Sequence, residues 1–342
     1  MKLLEFYGDV HWENGNKFMK TTLPYIFNFE YAVDTESAQP AINKIIVTGS
    51  GDFGCWEKKP VAVNLANNHI MDLGDEGFLN TVSILKENGI AYFGAGSKND
   101  NYNNPCLIEL YGKRIALLGY SDYDFLLEVS SVRHKCAVPT REQIELDMDL
   151  CREEHADMVI VNIHWGREER SWNNKRQEFL GHRLIDAGAD LIIGHHPHCI
   201  QPIEIYKDKY IFYSLGNTWF PDLNTPSYYD RNGNSEFNAC VKNLKCGRES
   251  LKVQYNLETN TLAKVEKLEY KNGQIYTLGE VKNLRSVPGI FRSAFCNEAV
   301  GYFRRALILT KSNLFVNGRI INAKAFQKEF EFIRARRKRE NK

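Results

Sequence analysis

Four short apolar runs along the chain each stop at polar or histidine-containing segments. They cover residues 3–7, 61–66, 158–163 and 191–193. A run of this length that is closed by Gly, Asn or Pro is typical of a buried strand that opens into a loop. The pattern therefore predicts four core strands, each followed by a polar loop.

Helical patterns alternate with these runs. Apolar residues recur at helical spacing over residues 76–88, 141–154 and 175–187. Gly89 and Gly188 follow the first and the last of these segments, where helices commonly end. Alternating strands and helices predict an α/β fold whose strands are buried on both faces.

Strands dominate the second half of the chain. Residues 203–206 and 210–215 read as paired strands joined by a turn at 207–209, and residues 252–276 alternate around Asn272-Gly273, a hairpin signal. The tail, residues 323–342, is amphipathic and then basic, which is typical of a solvated end, with a docking patch for an acidic partner as the alternative. We predict one domain over residues 1–280 and a C-terminal helical extension with a basic tail over 281–342.

The composition is that of an ordinary globular protein. The 342 residues are 43% hydrophobic and 25% charged, and the net charge is +1. This charge supplies no general field toward nucleic acid or membrane. The eight cysteines are scattered without a Cys-x-x-Cys pair, which favours reduced thiols. The N-terminus lacks signal-peptide features, and no later run reaches the roughly 20 apolar residues of a membrane span, so we expect a cytoplasmic protein.

The histidines concentrate at the predicted strand ends. Six of the nine lie at or just after such an end: His11, His69, His164, His195, His196 and His198. In open α/β sheets the carboxyl ends of strands converge on the ligand crevice, and imidazole and carboxylate groups are suited to Zn, Mn or Fe. A single histidine at such a place is more often structural. Its repetition at four strand ends predicts a metal site.

Two short segments have a spacing that suits metal binding. Asp9-Val10-His11 would direct two ligands to one side of an extended segment, because alternate residues share a face. His196-Pro197-His198 has the same spacing, and Pro197 stiffens it. Asp9 alone could instead cap a turn, and Asn68 could begin one.

The order of these motifs resembles the capsule-synthesis CapA-type family of the calcineurin-like metallophosphoesterase superfamily. The resemblance covers about residues 1–220. It rests on Gly8-Asp9, Asn28-Phe29-Glu30, Ala66-Asn67-Asn68-His69 with Asp72 and Gly74, His164-Trp165-Gly166, the segment 185–190, Gly194-His195-His196-Pro197-His198, and the segment 212–217. Two positions depart from the family pattern: His11 stands where an apolar residue is usual, and Phe29 where Leu is usual.

The resemblance implies a four-layer αββα sandwich with two divalent metal ions, of Mn, Zn or Fe, between the sheets. The implied ligands are Asp9, His11 and His198 for one ion, Asn68, His164 and His196 for the other, and Glu30 as the bridge. Asp52 is an alternative bridging carboxylate. His69 would protonate the leaving oxygen, and Asp72 would either orient His69 or cap a helix.

The function expected from this site is hydrolysis by a water activated between two metal ions. The resemblance implies a phosphoesterase in capsule, surface-polysaccharide or poly-γ-glutamate metabolism, with a small-molecule or polymer ester as substrate and capsule biosynthesis proteins as partners. The alternative is a non-catalytic assembly or binding module for a polymer synthesis or export complex. Nucleic-acid processing is disfavoured, because the motif-bearing half has no basic face.

Overall fold

A computed structural model describes residues 1–13, 21–42, 44–54, 56–103, 105–122, 133–228 and 236–282. The predicted C-terminal extension, apart from residues 281 and 282, lies outside these ranges, so its helical character stays a prediction. The chain forms one large unit of Met1–Pro221, Pro226–Phe237 and Asn243–Gly289. Among the described residues, Asp222–Thr225 and Asn238–Lys242 belong to a second, small unit.

Two sheets dominate the large unit, with strands numbered in chain order. The first has eight strands: β1 (Leu3–Val10), β2 (Tyr25–Phe29), β5 (Ala62–Asn64), β6 (Ala91–Phe93), β15 (Asn217–Trp219), β18 (Glu249–Asn256), β19 (Thr261–Lys271) and β20 (Gln274–Glu280). The second has six: β8 (Cys106–Leu110), β9 (Lys113–Ser121), β11 (Met158–His164), β12 (Leu191–His195), β13 (Ile203–Tyr206) and β14 (Lys209–Phe212).

Three two-stranded sheets complete the strand inventory of the described ranges. They are β3 (Ala32–Val33) with β4 (Thr48–Gly49), β7 (Ala95–Ser97) with β10 (His134–Cys136), and β16 (Leu223–Tyr228) with β17 (Glu236–Val241).

The strands nearest the predicted ligands run parallel. In the first sheet β1, β2, β5 and β6 pair in parallel in that order. In the second, β9, β11, β12 and β14 do the same. Within each sheet the carboxyl ends of these strands therefore lie along one edge.

The core lies between the two sheets and behind the second one. Phe6 and Ile26 of the first sheet share one apolar cluster with Ile160 and Phe212 of the second. The other face of the second sheet packs against two helices, α2 (Arg141–Glu153) and α3 (Lys175–Ala187), in a separate cluster. A third helix, α1 (Gly74–Glu87), contacts β3 and β6. The fold is therefore a mixed α/β arrangement rich in sheet.

The predicted helices over residues 76–88, 141–154 and 175–187 and the predicted hairpin are confirmed. Helix α3 begins with a capping box, in which the Asn174 side chain accepts from the Gln177 amide and the Gln177 side chain accepts from the Asn174 amide. The hairpin between β19 and β20 turns at Asn272 and Gly273, whose φ angles are 52° and 69°, as a tight turn of this kind requires.

Two of the apolar residues in the predicted helices are exposed. Leu79 is 50% exposed and Phe179 is 61% exposed. Each lies next in sequence to a buried residue, Phe78 or Leu180, and adjacent helical residues point about 100° apart. None of the helices in the described ranges has the length and apolar character needed to span a bilayer.

Candidate metal centre

The predicted ligands come from the ends of four parallel strands, two in each sheet, and from the loop after a fifth. Most of these side chains are fully or almost fully buried. They come from β1 (Asp9), the end of β2 (Glu30), the loop after β5 (Asn68), the end of β11 (His164) and the loop after β12 (His196 and His198). Residues separated by almost 190 positions are therefore brought together, as shown by the His196 amide, which donates to Asp9 Oδ2 over 3.3 Å.

Among the described residues, two triads have ligand atoms within 4.8 Å of one another. One is Glu30 with His164 and His196, and the other is Asp9 with Glu30 and His198. Glu30 belongs to both. Its Oε1 atom is buried without a hydrogen-bond partner and lies 3.5 Å from His164 Nε2 and 3.6 Å from His198 Nε2. A buried carboxylate oxygen facing imidazole nitrogens on two sides fits a bridging position between two cations.

Asn68 lies beside the first triad. Its Oδ1 atom is 2.8 Å from His164 Nε2, the nitrogen that also faces Glu30. An amide oxygen at this distance from a histidine ligand can complete the coordination of the same ion, as the sequence predicts.

A network of buried asparagine side chains is hydrogen-bonded to both carboxylates. Asn28 Nδ2 donates to Asp9 Oδ1 over 2.9 Å and to Glu30 Oε2 over 3.2 Å. Asn28 Oδ1 in turn accepts from Asn64 Nδ2 over 3.0 Å and from Asn67 Nδ2 over 3.4 Å. Because one amide binds one oxygen of each carboxylate, the other oxygen of each is left to face the centre.

The pKa values of the two carboxyl groups, Asp9 and Glu30, are shifted in opposite directions. Burial alone would raise the pKa of Asp9, but hydrogen bonds and charges from His195 and His198 outweigh it and hold that pKa well below its ordinary value. Burial, followed by the neighbouring Asp9 charge, raises the pKa of Glu30 well above its ordinary value. Without a cation, Glu30 is therefore a buried acid next to an existing negative charge. This is a state that a bound cation would relieve.

The pKa values of His198 and His164 are also shifted in opposite directions. Burial lowers the pKa of His198, but the charges of Glu30 and Asp9 outweigh it and raise that pKa to about 9. The pKa of His164 lies well below its ordinary value because of burial and the nearby His196. His198 Nδ1 donates to Asn217 Oδ1 over 2.8 Å, so Nε2, which lies 3.6 Å from Glu30 Oε1, is the nitrogen that would give up its proton to a cation.

The backbone around the centre is packed closely. A Cβ atom at Gly8 would lie 1.8 Å from the Gly216 carbonyl oxygen, so only glycine lets β1 approach the segment that leads into β15. That approach places Asn217 in register with Asp9. His196 and His198 adopt φ angles of 92° and 56°, in the left-handed region that costs a residue with a side chain about 1 kcal/mol or more.

His69 and Asp72 form a separate pair at the edge of the centre. His69 Nδ1 lies 2.7 Å from Asp72 Oδ2, which also accepts from the Val47 amide over 2.8 Å. Asp72 Oδ1 pairs with Lys44, whose ammonium also donates to the Asn68 carbonyl. Leu73, not Asp72, is the N-cap residue of α1, so the helix-cap alternative for Asp72 is wrong.

His11 and Asp52 lie outside both triads. His11 Nε2 is 2.7 Å from the Thr48 carbonyl oxygen, and its ring packs against Tyr31 and Phe220. Burial lowers the pKa of His11 to about 4. Asp52 is exposed and accepts from the Gly54 amide over 2.8 Å.

Several residues that shape the centre have roles the sequence did not indicate. Asn28 belongs to the Asn28-Phe29-Glu30 motif, but the sequence assigned it no function. Asn64 is a polar residue in an otherwise apolar strand, and this contrast could have marked it as part of the site. His195 lies behind Asp9, with its Nδ1 3.2 Å from Asp9 Oδ1. No local sequence pattern identified Lys44 as part of the site, because its partners come from elsewhere in the chain.

A family model described as "Bacterial capsule synthesis protein PGA_cap" matches residues 9–222. The capsule biosynthesis protein CapA of Bacillus anthracis is 32% identical over 238 residues, which cover 64% of this chain and 56% of that protein. The PGA biosynthesis protein CapA of Bacillus subtilis (strain 168) is 38% identical over 159 residues, which cover 46% of this chain and 42% of that protein. The chain thus spans about half the length of these relatives.

Solved structures are more distantly similar. A hypothetical protein from Thermus thermophilus aligns with a TM-score of 0.42 at 13% identity, over 82% of this chain and 100% of that one. A 5'-nucleotidase precursor from the same organism aligns with a TM-score of 0.33 at 14% identity, over 73% of this chain and 44% of that one. Both scores are too low to establish a shared fold.

Proposed function

The chain belongs to the bacterial capsule synthesis protein family, and we propose that it is a metal-dependent hydrolase that uses two divalent ions. One observation carries the proposal: the buried Glu30 carboxylate is common to both triads and has an oxygen without a hydrogen-bond partner. Shared carboxylates of this kind hold metal pairs about 3.5–4 Å apart in hydrolytic enzymes. The proposal includes a four-layer αββα arrangement, in which a helical layer would cover each sheet.

The proposed ligand set follows the two triads. Asp9, Glu30 and His198 would hold one ion, while Glu30, His164 and His196, with the Asn68 amide oxygen, would hold the other. His11 belongs to the set inferred from sequence, but its ring would have to leave the Thr48 carbonyl to reach an ion. The metal pair, when bound, would supply activation of water and stabilisation of negative charge. Mn, Zn and Fe all suit this mixture of nitrogen and oxygen ligands.

His69 is the proposed proton donor to the leaving oxygen, and Asp72 is its orienting partner. The 2.7 Å contact with Asp72 keeps a proton on Nδ1. Nε2 lies 3.2 Å from Asn68 Nδ2, which donates to it, so His69 must gain a second proton before it can act as an acid. Burial opposes that proton and lowers the pKa of His69, whereas the Asp72 charge favours it. A donor held in this way would contribute about 10²–10⁴-fold in rate.

The proposed substrate class is an ester, with phosphoesters first. The relatives are named for capsule and PGA biosynthesis, so the proposed context is capsule or poly-γ-glutamate metabolism together with other proteins of that process. The competing proposal is a metal-retaining assembly module without turnover. It is favoured by a further relative from Mycobacterium tuberculosis, which is named as a probable polyglutamine synthesis accessory protein. This relative is 31% identical over 174 residues, which cover 46% of this chain and 45% of that protein.

Metal counting tests the proposal directly. Protein purified without chelator would be analysed for bound metal beside a His164→Ala, His198→Ala double variant, with the cation pool supplemented by Mn, Zn and Fe in turn. We expect close to two ions per chain in the wild type and fewer than one in the double variant. Absence of bound metal under all three conditions would refute the metal-dependent hydrolase.

Turnover then separates the enzyme from the assembly module. The metal-loaded protein would be assayed with phenyl phosphate, diphenyl phosphate and poly-γ-glutamate, with a His69→Ala variant as comparison. Hydrolysis that falls about 10²-fold or more in His69→Ala supports the acid assignment. Full metal loading without hydrolysis of any of the three substrates would favour the assembly module.

A further inference from the structure

Two cysteines that the proposed chemistry does not use lie side by side next to the centre. The sulfur atoms of Cys199 and Cys246 are 2.7 Å apart, although the residues are 47 positions apart in the chain. Both are free thiols in the structure, as are the other four cysteines of the described ranges, Cys106, Cys136, Cys151 and Cys240. The two sulfur atoms are therefore close to the roughly 2.05 Å that a disulfide bond requires.

The two thiols belong to segments that already contact each other. Cys199 directly follows His198 and is 1% exposed. Cys246 begins a short 3₁₀ turn, Cys246–Arg248, that leads into β18. The Gly247 carbonyl in this turn accepts from Asn217 Nδ2 over 2.9 Å, and Asn217 Oδ1 lies 2.8 Å from His198 Nδ1. Asn217 thus already links the turn to the histidine that precedes Cys199.

We propose that Cys199 and Cys246 form an intramolecular disulfide that fastens the Cys246–Arg248 turn to the segment carrying His198. The oxidant is a low-molecular-weight disulfide. The half-buried Cys246 sulfur attacks it first, forms a mixed disulfide and releases one thiol. The Cys199 sulfur then attacks the Cys246 sulfur and releases the second thiol. One disulfide is reduced, one is formed, and the two thiol protons leave on the two released thiols.

The bond would close a long loop. A loop of 47 residues loses considerable freedom in the unfolded chain when its ends are joined, so the oxidised protein should be more stable than the reduced one. Because Asn217 holds both the turn and His198, the bond would also limit movement of the His198 ring. Formation of the bond itself does not rest on the proposed hydrolase activity.

Mass spectrometry of the full-length protein tests this inference. The protein would be reduced, freed of reductant, exposed to oxidised glutathione, quenched in acid and alkylated. We expect a peptide pair cross-linked through Cys199 and Cys246, about 2 Da lighter than the two free thiols. A matched Cys106→Ser, Cys240→Ser variant should give the same cross-link. Two alkylated thiols, or separate glutathione adducts on Cys199 and Cys246, would overturn the proposal.

Thermal unfolding tests whether the bond fastens the turn. The oxidised wild type should melt roughly 5 °C or more above the reduced wild type. Cys246→Ser, at a half-buried position that tolerates the exchange better than the buried Cys199, should melt at the same temperature with and without oxidant. A cross-linked protein that melts no higher than the reduced one would show that the turn is not held, and would overturn that part of the proposal.

Discussion

Asp9 and His11 are two residues apart, yet their side chains lie in opposite surroundings. Asp9 is held among histidines and Asn28, with a pKa well below its ordinary value. His11 lies among the rings of Tyr31 and Phe220, and burial lowers its pKa to about 4, so it is neutral at physiological pH. Asp9 therefore lies in a charged environment, and His11 lies in an apolar one.

The cause of this separation is local strand geometry. Alternate residues share a face only along a regular strand. The pairing of β1 with β15 shifts in register between Asp9 and Val10, and β1 ends at Val10. His11 thus follows the irregularity, with its amide bonded to the Trp219 carbonyl over 2.7 Å. A spacing in sequence identifies a pair of ligands only where the backbone stays regular between them.

Replacing the Glu30 carboxyl group should have the largest effect on the charged centre to which Asp9 belongs. Glu30→Gln should abolish binding of both ions, because the two triads share this carboxylate. The measurement is metal content after equilibration with Mn or Zn. In the presence of chelator the same variant should melt above wild type, because it removes a carboxyl group whose pKa is raised by burial and, second, by the neighbouring Asp9 charge.

Asp52→Asn is the matched control for Glu30→Gln. Asp52 is exposed and serves only a local turn through the Gly54 amide in the described part of the chain, so this variant should retain both ions. If Asp52→Asn lost metal and Glu30→Gln kept it, the bridging role would belong to Asp52.

The two halves of the centre should be separable by single variants. His164→Ala removes a ligand from one triad and leaves Asp9, Glu30 and His198 in place. We expect this variant to bind one ion where wild type binds two, measured by calorimetric titration of chelator-treated protein. Simultaneous loss of both ions would mean that the halves do not fill independently.

Asn28→Ala should weaken the centre without removing a ligand. Its amide donates to one oxygen of Asp9 and one of Glu30 and thereby aims the other oxygens. Groups that orient metal ligands in this way typically contribute about 10–100-fold in affinity. The dissociation constant for Mn or Zn should rise by that factor, while Asn80→Ala, which removes an amide that donates to the Asp34 carbonyl, should leave it unchanged.

Elements with strong local signals were predictable from the sequence. The predicted helix at 175–187 coincides with α3, because a capping box at Asn174 and Gly188 after the last turn mark both ends locally. The turn at Asn272-Gly273 was predictable for the same reason, since these residues favour the φ angles that the turn needs.

Contacts set by tertiary packing were not predictable. The convergence of Asp9, Glu30, His164, His196 and His198 was expected from the strand-end pattern and the family resemblance, but their individual contacts follow from the strand order. The contact of Lys44 with Asp72 and Asn68, and that of Cys199 with Cys246, join segments whose relative placement no local pattern encodes. The side-chain direction of His11 depends on a register shift that composition does not reveal.

His11→Gln should have the smallest effect on metal binding and a distinct effect on pH stability. Both ions should remain, because the His11 ring lies against Thr48 rather than in either triad. In chelator-treated protein, the folded pKa of about 4 lies below that of the unfolded residue, near 6.5. Between these values the unfolded chain binds the extra proton, so stability rises with pH and is lost as pH falls from about 6.5 to 4.

Over that pH window the wild type should lose roughly 3 kcal/mol more unfolding free energy than His11→Gln, as measured by urea denaturation at several pH values. His155→Gln, at an exposed position just after α2, is the matched control for the loss of an imidazole. A His11→Gln variant that loses one ion would mean that His11 turns from Thr48 to the centre when metal binds. The register shift at Asp9 and Val10 would then separate the two side chains only in the metal-free protein.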